Sequence, residues 1–490
     1  MPVFSLPNGC QIGDVGPGAY RFVDFLQSAG QTIWQLLPLG PSTTGDSPYS
    51  SYSAFAGNPL LISCDELVSI GLLTEQQLQQ AGHVAADTVR VDYTKTRATK
   101  EPLLKLAFDA FQQLGDGPLK TEFAQFCESN DAWLTDFARF DAIATDCGNA
   151  NWTMWDAGLV RREVGALAAV DERLADEIQF ACFSQFIFAK QWNKLKDYAN
   201  ERRVRIYGDM PIFVAHESVD VWTNQELFLL DENGRPTVVA GVPPDYFSTT
   251  GQMWGNPLYN WQRMAETNYE WWINRFRQAF QCFDILRIDH FRGFESFWEI
   301  PADAENAIGG QWKPGPRDAP FVAAQNALGE LAIVAEDLGM ITDEVHGLRE
   351  QLGFPGMRVM QFGCDHDHDA YHRPDCYPQH SFAYSGTHDN DTVVGWYTCR
   401  QNDGANQDIV NRFLSGNPEQ LHQDLVRAVL NSAADTAIIP MQDLLGLGSE
   451  ARTNTPGEPT GNWAWRCPTD SLTDALANDL KSWTVASARL

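Results

Sequence analysis

The chain has 490 residues, of which 44% are hydrophobic and 20% charged, a composition typical of a globular protein with a large core. Its 64 acidic residues outnumber 35 basic ones, and the resulting net charge of −29 argues against nucleic acid or an anionic membrane as a partner. No apolar run reaches the roughly 18 to 20 residues that cross a bilayer, and the N-terminus lacks a basic segment followed by an apolar one. We therefore expect a cytoplasmic protein.

Seven short apolar runs are candidate strands, and most are separated by room for a helix. They span residues 32–41, 204–213, 283–291, 331–339, 358–363, 382–390 and 436–446. Continuous apolar strands that alternate with helices predict a parallel sheet, because crossover helices cover both of its faces. We predict an α/β fold, a single (β/α)8 barrel over residues 1–490 with an eighth strand not located; an open doubly wound sheet is the alternative.

Residues from about 65 to 202 break this rhythm, because helical patterns dominate and strand signals are few. Within residues 176–203, for example, Ile178, Cys182 and Phe186 fall on one largely apolar helical face. We expect a helical insertion subdomain between the first two core strands, although a separate domain is possible. The ten cysteines include no C-x-x-C pair, so neither a zinc site nor a small disulfide scaffold is indicated.

Four of the candidate strands end in a carboxylate, namely Asp209, Asp289, Glu336 and Asp389. In a barrel all strands point the same way, so these side chains converge on the one rim where catalysis takes place. One buried aspartate beside an arginine, as in the run containing Arg287, can be purely structural. Four strand-end acids favour catalysis instead, because acid/base and nucleophilic chemistry needs carboxylates from different elements.

Two carboxylates that flank one bond are the basic requirement for cleaving a glycosidic linkage. Arg287 lies two residues before Asp289 on the same strand face, so it can keep Asp289 ionised as a nucleophile. Glu336 follows the apolar run "LAIVA" and can be desolvated enough to remain protonated as a general acid. Asp389 would then stabilise positive charge at the sugar carbon, with His388 and Arg287 supplying hydrogen bonds.

A segment rich in aromatic residues, glycine and proline spans residues 239–261. Pyranose rings pack their C–H faces against aromatic rings, so this segment favours a sugar ligand. We predict a lid loop over the active site, since long loops inside compact domains are usually lids or binding loops. An ordered surface loop with a few packed aromatics is the alternative. The aromatic residues are Tyr246, Phe247, Trp254, Tyr259 and Trp261.

The blocks "YGDMPIFVA", "VAGVPPDYFSTTGQMWGNPLYNW", "ILRIDHFRGF", "AEDLG", "GFPGMRVMQF" and "SGTHDNDTVVGW" occur in this order. Together with flanking blocks from about residue 9 to 466, the sequence resembles the amylomaltases, 4-α-glucanotransferases also called disproportionating enzymes or D-enzymes. The resemblance implies a (β/α)8 barrel with helical insertions, no separate C-terminal β-domain and no cofactor. It also implies a retaining transfer of an α-1,4-glucan segment to the 4-hydroxyl of another glucan or glucose.

Residue by residue, the resemblance assigns Asp289 as the nucleophile, Glu336 as the acid/base and Asp389 as the transition-state stabiliser. It implies that the substrates and partners are α-1,4-glucans and maltooligosaccharides. The residues expected at the substrate are Arg287, His388, Asp209, Asp46, Ser47, Tyr49, Tyr246, Phe247, Trp254, Gly255, Asp365 and Asn454.

The segment 363–380 departs from the family pattern, because it is unusually rich in histidine and aspartate. We interpret it as a rim loop in which Asp365 contacts sugar, rather than as a metal site, because no second cluster completes a ligand set. Three other functions remain open: a hydrolase of α-1,4-glucans, a barrel enzyme in which Asp209, Asp289 and Glu336 hold Mg²⁺, and a glucan-binding protein without activity.

Overall fold

The computed structural model describes residues 1–7, 11–43, 45–83, 88–244, 248–365, 370–403 and 407–490. The strands are β1 (Ile33–Gln35), β2 (Arg205–Pro211), β3 (Val238–Val242), β4 (Gln252–Pro257), β5 (Ile285–Asp289), β6 (Ser296–Pro301), β7 (Gln311–Pro314), β8 (Ile333–Ala335), β9 (Gly356–Val359), β10 (Ser381–Tyr384) and β11 (Thr436–Ile438). The first nine helices are α1 (Pro17–Ser28), α2 (Cys64–Ser69), α3 (Glu75–Gln80), α4 (Tyr93–Gln112), α5 (Pro118–Ser129), α6 (Asp131–Cys147), α7 (Ala157–Val160), α8 (Val164–Arg173) and α9 (Ala175–Glu201). The remaining helices are α10 (Val219–Thr223), α11 (Trp261–Glu266), α12 (Glu270–Cys282), α13 (Ala319–Leu328), α14 (Asp343–Gln351), α15 (Met360–Asp365), α16 (Val393–Asn402), α17 (Leu421–Leu430), α18 (Met441–Leu444) and α19 (Asp474–Ala486).

Seven strands form one parallel sheet in the order β1-β2-β5-β8-β9-β10-β11. Each contains part of one of the seven predicted runs, and the order in the sheet follows the order in the chain. The result is the predicted α/β barrel, nearly closed, although the described residues contribute seven strands to this sheet and not eight. Along the chain from residue 407 to 490, all of which is described, no further sheet follows β11.

The barrel interior is apolar and receives side chains from every strand of the sheet. Their mutual packing gives the seven strands one shared core, whose burial is the main favourable term in forming the barrel. The side chains are Ile33 from β1, Tyr207 from β2, Ile285 from β5, Val334 from β8, Met357 and Val359 from β9, Phe382 and Tyr384 from β10, and Ile438 from β11.

The stretch between β1 and β2 contains the eight helices α2 to α9, and none of its described residues forms a strand. Its long helix α9 packs on α6, on α5 and on β2, so the stretch lies directly against the barrel. None of the helices in the described ranges is long and apolar enough to cross a lipid bilayer.

The segment 239–261 differs from the loop that we predicted. It contains most of β3 and all of β4, which pair antiparallel and join β6 and β7 in a second sheet of order β4-β3-β6-β7. Three of the six residues of β4 are exposed and two are half-buried, so their sequence lacks the apolar run that marks a buried strand. Hydrogen bonds between backbone groups form this sheet. Because nearly every residue carries these groups, the hydropathy of the sequence does not reveal the pairing.

Candidate active site

Arg287 links two of the strand-end carboxylates. It lies opposite Asp209 in the parallel pairing of β5 with β2, and its Nη1 lies 2.8 and 2.9 Å from the two carboxylate oxygens of Asp209. The same Nη1 is 2.8 Å from Oδ1 of Asp289, which projects from the same face of β5 two residues later. A single guanidinium therefore contacts and positions both acids.

Glu336 directly follows β8 and is 8% exposed. Its Oε2 accepts a hydrogen bond from the backbone N–H of His290 at 2.7 Å, and its Oε1 accepts one from that of Leu338 at 2.9 Å. Burial raises the pKa of Glu336 to about 7, against the opposing effect of Arg287. Since His290 immediately follows Asp289 in sequence, this contact fixes Glu336 next to the end of β5.

Asp389 lies in the segment that follows β10 and has two side-chain partners. His388 Nε2 is 3.2 Å from Oδ2, and Asn454 Nδ2 donates to Oδ1 at 2.6 Å. Burial by itself raises the pKa of Asp389, but His388 and the hydrogen bond from Asn454 outweigh burial and lower it to about 2. Asp389 is therefore ionised at neutral pH, whereas Glu336 is close to half protonated.

Tyr49 connects Asp209 with the Asp389 side of the site. Its hydroxyl donates to Oδ2 of Asp209 at 2.6 Å and lies 3.4 Å from Nδ1 of His388. The rings of Tyr49 and His388 stack with centroids 4.9 Å apart. The chain of contacts thus runs from Asp289 through Arg287, Asp209, Tyr49 and His388 to Asp389.

Two other predicted residues lie near this chain of contacts on the β4 side. Trp254 is 38% exposed, and its ring meets that of His290 edge to face at 4.9 Å. The next residue, Gly255, has a φ of 79°, the left-handed conformation that favours glycine. The predicted lid residues Tyr246 and Phe247 lie outside the described residues.

Three predicted substrate contacts interact with the protein itself. Ser47 Oγ accepts a hydrogen bond from the backbone N–H of Tyr49 at 3.3 Å, and Asp46 forms an ion pair with Arg97 on α4. Asp365 pairs with α16, where Trp396 Nε1 donates to its carboxylate at 2.9 Å and Arg400 forms an ion pair. Contact of these three side chains with sugar stays a prediction.

The structure also adds two residues that the sequence analysis did not assign. Arg452 Nη2 donates to the backbone carbonyl of Asp389 at 2.6 Å, and its Nε donates to that of Asn454 at 2.7 Å. Trp463 lies with its ring centroid 5.8 Å from those of Tyr49 and His388. Both lie in residues 438–466, "IIPMQDLLGLGSEARTNTPGEPTGNWAWR", a further block that resembles the amylomaltases, and this resemblance was the only sequence signal that pointed to them.

Metal ligation is the other use that clustered acids could have. Within the ranges that the structure describes, no three His, Cys, Asp or Glu side chains are grouped to hold an ion. Residues 366–369 of the His- and Asp-rich segment lie outside those ranges. Asp209, proposed above as one possible Mg²⁺ ligand, is instead engaged by Arg287 and Tyr49.

A barrel that brings carboxylates from several strands to one rim has the architecture of an enzyme active site, and comparison with known proteins defines the family. The profile of the 4-alpha-glucanotransferase family matches residues 1–473. The chain is 47% identical to the 4-alpha-glucanotransferase of Synechocystis sp. over 97% of this chain and 94% of that one. It is 45% identical to the 4-alpha-glucanotransferase of Streptococcus pneumoniae over 100% and 96% of the two chains.

Among solved structures, the amylomaltase of Streptococcus agalactiae in complex with acarbose is similar with a TM-score of 0.93. It shares 38% identity, and the match covers 100% of this chain and 98% of that one. The chain therefore belongs to the 4-alpha-glucanotransferase family, and it is an enzyme that acts on α-glucans.

Proposed function

We propose that this enzyme transfers a segment of an α-1,4-glucan to the 4-hydroxyl of another glucan or of glucose, with retention of configuration, through a covalent glycosyl group on Asp289. The observation that carries the proposal is a contrast between two carboxyl groups. Burial raises the pKa of Glu336 to about 7, whereas the neighbours of Asp389 lower its pKa to about 2. Carboxyl groups with different protonation states at one site indicate different roles in catalysis.

In the first half of the reaction, Glu336 donates its proton to the glycosidic oxygen and Asp289 attacks the sugar carbon. Arg287 holds the attacking carboxylate, since its Nη1 lies 2.8 Å from Oδ1 of Asp289. The bond to the leaving sugar breaks, and the glycosyl group remains as an ester on Asp289. Two backbone N–H groups keep the carboxyl group of Glu336 in place through this step.

In the second half, Glu336 is an anion and accepts the proton of the acceptor's 4-hydroxyl. That oxygen attacks the sugar carbon, the ester to Asp289 breaks, and two inversions give net retention. Asp389 stays ionised throughout and stabilises the positive charge that develops on the sugar in both transition states. His388 and Asn454 fix it in position.

The acceptor distinguishes transfer from hydrolysis, because water and a sugar hydroxyl can resolve the same intermediate. The S. agalactiae structure contains acarbose, and the relatives are named glucanotransferases. We infer from both that oligosaccharides occupy this site, and that Trp254, exposed beside His290, packs on a bound sugar ring.

Incubation with maltotriose and sizing of the products tests the proposal. Transfer predicts glucose together with maltopentaose and longer oligomers, while the total number of reducing ends stays constant. A rise in reducing ends without elongation would replace the proposal with hydrolysis, and binding of maltotriose without any product would leave only a glucan-binding protein.

A further inference from the structure

Helices α5 and α9 of the stretch between β1 and β2 lie antiparallel and in a defined register. Glu122 on α5 forms an ion pair with Lys190 on α9. Phe123, the next residue on α5, and Phe126, one turn after Glu122, have ring centroids 5.6 and 5.8 Å from that of Phe186 on α9. As the residue number rises on α5, the number of its partner falls on α9. The next pair in this register is Cys127 with Cys182.

The side chains of Cys127 and Cys182 lie next to each other across α5 and α9, although the two residues are far apart in sequence. Both are partly exposed, so a small reagent can reach them. The contact with Cys182 lowers the pKa of the Cys127 thiol, and the same contact raises that of Cys182. The thiolate is the form that attacks a disulfide.

We propose that Cys127 and Cys182 form a reversible disulfide that ties α5 to α9 when a small disulfide, such as oxidised glutathione, is present. The Cys127 thiolate attacks one sulfur of that disulfide, whose S–S bond breaks and releases one thiol. The Cys182 thiol then loses its proton, and its thiolate attacks the sulfur of Cys127 and releases the second thiol. The two protein thiols are oxidised by two electrons, and one small disulfide is reduced to two thiols.

The bridge would join two walls of a cavity of about 420 Å³ that reaches the candidate active site. Phe126 on α5 lines this cavity together with Phe188 and Trp192 on α9, and Tyr49 and Asp209 line its other end. A covalent link between α5 and α9 limits separation of these walls in the native state. It also shortens the free loop of the unfolded chain, which stabilises the folded protein.

The test begins with the full-length protein, fully reduced, transferred into a buffer containing oxidised glutathione and then mapped by non-reducing peptide mass spectrometry. The proposal predicts a linked peptide pair holding Cys127 and Cys182, the loss of two titratable thiols at these positions, and a thermal midpoint about 4 °C higher. Dithiothreitol should reverse all three changes.

Two variants complete the design. In Cys127→Ser the linked pair and the rise in midpoint should both be lost, whereas Cys376→Ser, which alters an exposed cysteine elsewhere, should behave as the wild type. The proposal fails if Cys127 and Cys182 remain thiols, if each carries its own glutathione, or if they link only in denatured protein. A protein that contains the Cys127–Cys182 disulfide but unfolds at an unchanged thermal midpoint would also contradict the proposal.

Discussion

Glu336 shows how burial sets the chemistry of a single residue. Its carboxyl group is buried and accepts hydrogen bonds from the backbone N–H groups of His290 and Leu338, and burial raises its pKa to about 7. In the proposed mechanism, the proton that Glu336 gives to the leaving oxygen is therefore present below pH 7 and is lost as the pH rises through that value.

We accordingly expect kcat/KM for maltotriose to fall about tenfold per pH unit above a pH near 7. Glu336→Gln should reduce turnover of maltotriose by about 10²- to 10⁴-fold, because the amide cannot donate a proton. The same variant should still be glycosylated by α-maltosyl fluoride, whose leaving group needs no proton, as a burst of released fluoride would show.

The control for this experiment is Glu344→Gln, which removes an exposed glutamate on α14 and should leave the pH profile unchanged. If Glu336→Gln turned over maltotriose as fast as the wild type, Glu336 would not be the acid.

Asp389 shows the opposite effect, because three neighbours, His388, Asn454 and Arg287, lower its pKa against burial. Asn454→Ala removes a donor 2.6 Å from Oδ1, so the pKa of Asp389 should rise. We expect kcat to fall roughly tenfold and the acid limb of its pH profile to move to higher pH, since more of Asp389 is then protonated at a given acid pH. Steady-state kinetics between pH 3 and 8 measure both effects.

Asn462→Ala is the matched control, because Asn462 bonds within the same loop to Thr455 and Glu458 and not to Asp389. An acid limb that moves equally in both variants would indicate a general disturbance of the loop.

Among the elements, the barrel strands could be predicted from the sequence and the second sheet could not. Strands β2 and β5 are nearly continuous buried runs, as expected of a parallel sheet covered on both faces. Strand β4 is exposed and begins after a glycine, so hydropathy indicated a loop.

The residues of the candidate active site also divide into those that could be predicted from the sequence and those that could not. Asp209, Asp289 and Glu336 were predictable because they end or follow apolar runs, and parallel strands bring such ends together. The contacts of Arg452 and Asn454 with Asp389 join segments more than sixty residues apart, and no spacing in the sequence encodes them. The prediction that Asp365 contacts sugar came from its position in a predicted loop alone. That position does not reveal the ion pair that Asp365 forms with Arg400 on α16.

A buried ion pair ties helix α4 to the N-terminal segment of the chain. Lys100 Nζ lies 3.0 Å from Oδ2 of Asp14 and donates to the carbonyls of Leu60 and Ile62 at 2.8 and 2.7 Å. Lys100→Met leaves the carboxylate of Asp14 buried without its counter-charge. The free energy of unfolding should therefore fall by about 3 to 5 kcal/mol, as measured by denaturant titration.

Arg161→Met provides the comparison, because it breaks an exposed ion pair with Glu163 and should change stability by less than about 1 kcal/mol. Equal effects of the two substitutions would show that burial of the Lys100 pair is not what stabilises α4.

At the scale of the whole molecule, the barrel gathers acids from four strands, and their mutual repulsion must be compensated. Arg287 supplies a positive charge between Asp209 and Asp289, so these two acids already have a counter-charge from the chain itself. We therefore expect glucan transfer to be unchanged by EDTA and by added Mg²⁺, as measured by glucose release from maltotriose. A loss above about tenfold that Mg²⁺ restores would favour the metal-dependent alternative.

The most direct measurement is covalent trapping of the intermediate. A slow fluorinated maltosyl donor should add one glycosyl group to the intact protein, and peptide mapping should locate it on Asp289, while Asp289→Asn should remain unlabelled. A label on another residue, or transfer that proceeds undiminished in Asp289→Asn, would contradict the assignment of Asp289 as the nucleophile.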